Sequence, residues 1–169
     1  MSAPDRSYVR DATKPGDTSS IIAVCSLGII LALVLGVGLA TNLVLRHLVQ
    51  TAPFWICVVL GFRRSRATYW AGLPLFLFWL ILMVLIWAYL LGIAHVLSGH
   101  FSPIEIVMTL IVGASSIVGM GSLIRSKLSF PPVRAAVVFV VMAIFQLICF
   151  RLSLLPSIAH RGRRGRIPN

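Results

Sequence analysis

Residues 21–45 read IIAVCSLGIILALVLGVGLATNLVL, a run of 25 residues without a single charge. A helix rises about 1.5 Å per residue, so this run exceeds the roughly 30 Å hydrocarbon core of a bilayer and can cross it with some tilt. Ser19 or Ser20 can cap its start, and Arg46 with His47 marks its exit. The run is not alone. Ala71–Leu97 carries nothing charged at neutral pH apart from His95, and Pro103–Ile124 stops at Arg125. Val133–Leu155 encloses a shorter uncharged stretch, Ala135–Phe150, and its Arg151 is expected to snorkel to the interface.

Composition agrees with these blocks. The chain has 169 residues, 59% hydrophobic and 11% charged, with a mean hydropathy of +0.98. A soluble domain carries about a quarter charged residues, so that class is excluded. The expected fold is all-α: an integral membrane bundle of four transmembrane helices, at about 21–45, 71–97, 103–124 and 133–155. A short interfacial or re-entrant helix is expected at about 52–62. Its segment, TAPFWICVVLGF (51–62), offers Thr51 as an N-cap, Pro53 in a first turn and Gly61 as a stop. Twelve residues reach only about 18 Å as a helix, too short to span. Residues 1–20 balance Arg6, Arg10 and Lys14 against Asp5, Asp11 and Asp17 without apolar periodicity, and are expected to form a disordered polar tail. A cleaved signal peptide is not expected, because the following apolar block is too long and lacks a small-x-small exit site. Residues 21–156 form one transmembrane domain, and 157–169 a basic tail.

Fifteen Lys and Arg face four Asp and Glu, giving a net charge of +11. In a soluble chain such an excess suggests nucleic acid. Here the basic residues sit at the ends of apolar blocks, so no nucleic-acid partner is expected. Arg63, Arg64 and Arg66, with Arg161, Arg163, Arg164 and Arg166 in the tail, are expected to contact anionic lipid headgroups. Only Lys14 and Lys127 are lysines, an arginine bias compatible with a GC-rich bacterial coding sequence and a cytoplasmic (inner) membrane. With four spans the basic residues divide seven to seven between the two sides, and the positive-inside rule does not orient the chain.

Small residues recur where helices can approach closely. Gly28, Ala32, Gly36 and Ala40 repeat every fourth position in the first span. In the third, Thr109, Gly113, Ser115, Ser116, Gly119 and Ser122 fall within about half the helical circumference. Such faces pack against a neighbouring helix or, for the hydroxyl face, line a narrow polar path. Glu105 is the lone carboxylate outside the N-terminal tail, yet Ser102-Pro103-Ile104-Glu105 is a capping-box pattern, which explains it without chemistry. Asn42 and Gln146 are single amides among apolar neighbours, expected to hydrogen-bond between helices.

No catalytic constellation or cofactor motif emerges. Cys25, Cys57 and Cys149 each lie in an apolar run without metal-ligand spacing, and read as small buried hydrophobes. His95 and His100 are about 140° apart on a helix, poorly placed to share a metal. The expected role is therefore a non-enzymatic membrane component without cofactor, working by packing with a homo-oligomeric copy or a larger membrane partner. A small transporter or channel using the hydroxyl and glycine face of the third span is the alternative.

Overall fold

The computed structural model describes residues 15–93, 102–126 and 131–159. All regular structure among them is helical. Helix α1 (Pro15–Leu31) runs on directly into a π-helical segment, Ala32–Gly38. After a turn come α2 (Val44–Phe62), α3 (Ala67–Leu90), α4 (Pro103–Arg125), α5 (Pro132–Ser153) and the four-residue α6 (Pro156–Ala159). Five of these are long and apolar enough to cross a bilayer: Thr18–Gly38, and each of α2 to α5. The chain is thus a multi-pass membrane protein by its helices.

The count of long helices corrects the sequence reading. The short helix expected at 52–62 is the second half of α2, whose 19 residues reach about 28 Å. Pro53, read as a first-turn residue, lies in the interior of α2. The first span, expected to continue to Leu45, ends at Gly38. Arg46 and His47 belong to the first turn of the next helix rather than to an exit. Helix α1 also begins at Pro15, inside the expected polar tail, with Thr18 and Ser19 buried. The remaining helices fall close to expectation, although α3 starts at Ala67 instead of Ala71 and ends by Leu90. Residues 1–14, 94–101, 127–130 and 160–169 lie outside the described residues, including His95, His100, Lys127 and the tail arginines Arg161, Arg163, Arg164 and Arg166.

The helices alternate in direction. The end of α2 meets the start of α1, where a Cβ on Gly61 would stand 2.7 Å from the Ser19 carbonyl oxygen. The start of α3 meets the end of α4, where a Cβ on Gly119 would stand 2.7 Å from the Phe76 ring. These two positions require glycine because backbone meets backbone or ring directly, the close approach that drives association where lipid removes the hydrophobic force. Helix α3 touches all four other long helices, while α4 packs on α1 and α3, and α5 on α2 and α3. The core lies where α1, α2 and α3 converge. Ile22, Ile29, Phe54, Leu75 and Phe76 are fully buried there, with Phe54 and Phe76 edge to face at 5.7 Å.

Candidate functional site

Two features set α2 apart: the break that precedes it and the polar seam it shares with α5. At the break, the π-helical turn widens the backbone path, and Asn42 adopts a left-handed conformation with φ 57°. Short π segments often mark functional positions. Asn tolerates this φ far better than the branched residues around it. The exposed backbone is re-satisfied locally. Leu43 N–H donates to the Gly38 carbonyl at 2.9 Å, and Thr41 donates to Val37 O through both its N–H and its hydroxyl. His47, buried, donates from Nδ1 to the Leu43 carbonyl at 3.0 Å, so its ring closes the first turn of α2.

His47, Gln50 and Thr51 are spaced to share one face of α2, and all three are buried. Gln146 and Ser153, two turns apart on α5, face them. Gln50 Nε2 donates to Ser153 Oγ at 2.9 Å, and Ser153 Oγ donates to the Phe150 carbonyl at 2.6 Å. Gln146 Nε2 donates across to the Gln50 carbonyl at 3.4 Å. That contact lies one residue from the Val49 carbonyl, which loses its helical donor because Pro53 has no N–H. Thr51 donates to the His47 carbonyl at 2.9 Å. Gln146 Oε1 is buried and accepts no hydrogen bond. Beyond the His47 ring, the seam is built from amides and hydroxyls. Its chemistry is hydrogen bonding between helices, and one acceptor is left over.

The residues singled out in the sequence are distributed as follows. Gly28 of α1 lies against α4, where an added Cβ would stand 3.2 Å from Ser115 Oγ, and Gly36 lies against the Met108 side chain. Ala32 between them is buried, whereas Ala40 is exposed at the break. On α4, Thr109, Ser116 and Gly119 are buried, and Gly113 borders Met83. The Thr109 and Ser116 hydroxyls donate to the Ile106 and Val112 carbonyls of their own helix. At the start of α4, Ser102 N–H donates to Glu105 Oε2 at 2.7 Å and Glu105 N–H to Ser102 Oγ at 3.3 Å, both halves of a capping box. Arg63, Arg64 and Arg66 are exposed at the α2–α3 turn, with Arg64 at φ 52°.

Sequence reasoning missed Gln50 and Ser153. Their only signal is a polar residue amid apolar neighbours, the signal that did single out Gln146. No group of three His, Cys, Asp or Glu that could hold a metal occurs among the described residues. Comparison of the chain with protein-family models, curated proteins and solved structures finds no match.

Proposed function

We propose that this chain is a non-enzymatic component of a bacterial cytoplasmic membrane that works by helix packing, with a second copy of itself or with a larger membrane partner. The observation that carries the reading is how α4 uses its polar face. The hydroxyls a conducting path would need donate inward to helix carbonyls at Thr109 and Ser116. Gly113 and Gly119 on the same helix admit Met83 and Phe76 of α3. That face supports packing.

The outer faces of α4 and α5 remain for an intermolecular contact. Ile117 and Val118 on α4 are exposed, and so are Val137, Val141 and Ile144 on α5. These β-branched side chains have few rotamers to lose, so packing them costs little entropy. The test is a cysteine placed on each outer face in turn, Val118→Cys and Val141→Cys, in native membranes. Cys25, Cys57 and Cys149 are buried and free, so they give a low background. The expected result is a crosslinked dimer, or a crosslink to one larger protein, from at least one face. A chain that stays monomeric from both faces, and migrates alone on native gels in mild detergent, overturns the reading.

A further inference from the structure

Opposite the polar seam, at the end of the bundle where α3 begins and α4 ends, a crevice of about 350 Å³ opens between the two helices. Tyr69, Trp70 and Leu73 of α3 line it on one side, and Leu123, Ile124 and Ser126 at the end of α4 on the other. Its lower wall is therefore apolar and its mouth aromatic. Trp70 Nε1 is buried there and makes no hydrogen bond. A buried indole N–H without a partner is unusual, since such donors normally find an acceptor.

Two cations neighbour the lining residues in the chain. Arg66 is the N-cap of α3 in helical backbone geometry, so it precedes Tyr69 and Trp70 by one turn on the same face. Arg125 is flanked in the chain by the lining residues Ile124 and Ser126. Both arginines are exposed. Glu105, the one carboxylate whose side chain is described, lies at the far end of α4 in its capping box.

We propose that this crevice is a binding site for one anionic phospholipid, its phosphate held by Arg66 and Arg125 and an acyl chain laid along Leu73 and Leu123. Arginine suits a phosphate because its planar fork of donors matches two oxygens at once. The ester and phosphate oxygens of the same lipid supply the acceptor that Trp70 lacks. A soluble anion would satisfy the arginines but leave the apolar wall unfilled. Basic pockets between membrane helices that take anionic headgroups follow this same combination of charge and apolar surface. The site is separate from the outer faces of the packing proposal, so either can fail without the other.

The experiment is native mass spectrometry of the purified full chain, loaded with phosphatidylglycerol or with phosphatidylcholine of matched acyl chains, and separately with inorganic phosphate. Phosphatidylglycerol is expected to remain bound at collision energies that strip phosphatidylcholine. Arg66→Gln and Arg125→Gln should each weaken it about fivefold, the effect of one basic residue near an anionic surface. Trp70→Phe, which keeps an aromatic ring at the mouth but loses the indole N–H, should weaken it as well. Arg134→Gln, an exposed arginine at the start of α5, should leave it unchanged. Equal retention of the two lipids overturns the proposal. So does an Arg134→Gln loss as large as the others, which would mark diffuse charge. Displacement of the lipid by inorganic phosphate would overturn it in favour of a free-anion site. Thermal melting of each variant in the same detergent separates lost binding from lost folding.

Discussion

Gly119 and Gly121 stand two positions apart on α4 and predict opposite responses to the same change. An alanine Cβ at 119 would lie 2.7 Å from the Phe76 ring, whereas at 121 it would meet nothing within 4 Å. Phe76 is fully buried and braced by Phe54, so it cannot move aside cheaply. Gly119→Ala should cost about 1–3 kcal/mol by overpacking, and Gly121→Ala should be neutral or slightly stabilising through its better helix propensity. Melting both in one detergent checks the pair. The capping box gives a second residue-scale contrast. Ser102→Ala removes the acceptor for Glu105 N–H and should cost about 0.5–2 kcal/mol of helix stability. Glu105→Gln keeps an oxygen that can accept from Ser102 N–H, so its melting should match the parent chain. If Glu105 served proton transfer, the glutamine variant would fold normally yet fail to complement a deletion strain.

Between α1 and α2 the decisive element is the turn, and it explains what could be read in advance and what could not. The capping pattern at Ser102, the prolines at 103 and 132, and the arginines at 125 and 151 punctuate α4 and α5, so both helices were legible. Gln146 was legible as a lone amide in an apolar block. Its partner Gln50 was not, since the two lie 96 residues apart, and neither was the bond from Gln50 to Ser153, 103 residues away; only the fold brings them together. The start of α2 was hidden because the break at residues 41–43 carries no charge and no proline. Pro53 then offered a false start within a helix already under way. Asn42 was the usable signal, a residue that accepts positive φ beside Gly36 and Gly38. Asn42→Gly should therefore be tolerated, while Asn42→Val should destabilise the turn by about 1–2 kcal/mol. Equal melting temperatures for the two variants would mean that the left-handed conformation at this position is not required.

With α2 counted as a crossing, the described residues hold five long helices, and the start of α1 and the end of α5 fall on opposite sides. The starts of α1, α3 and α5 then share one face with the ends of α2 and α4. Among the described residues that face holds Arg63, Arg64, Arg66, Arg125 and Arg134, and chain order alone assigns Arg6, Arg10, Lys14 and Lys127 to the same side. The other holds Arg46 and Arg151, and chain order alone assigns Arg161, Arg163, Arg164 and Arg166 to it. The seven-to-seven tie of the four-span reading becomes nine to six, and short basic loops beside membrane helices are retained in the cytoplasm. The expected orientation therefore puts the N-terminal segment and the 63–66 turn inside and the C-terminal segment outside. It also places the crevice beside Trp70 in the inner leaflet, where anionic lipid is concentrated. Alkaline phosphatase, active only outside the cytoplasmic membrane, should be active when fused after residue 159 and inactive when fused after residue 65. A fluorescent protein that matures only inside should give the reverse pattern. Substituting Arg63, Arg64 and Arg66 together by Gln removes three of the nine and brings the count to parity, so the orientation should become mixed. A phosphatase fused after residue 42, between α1 and α2, should be active, and equal activity from the fusions after residues 42 and 65 would contradict a full crossing by α2. That outcome would return the molecule to an even number of crossings, with the 44–62 helix lying along the membrane surface.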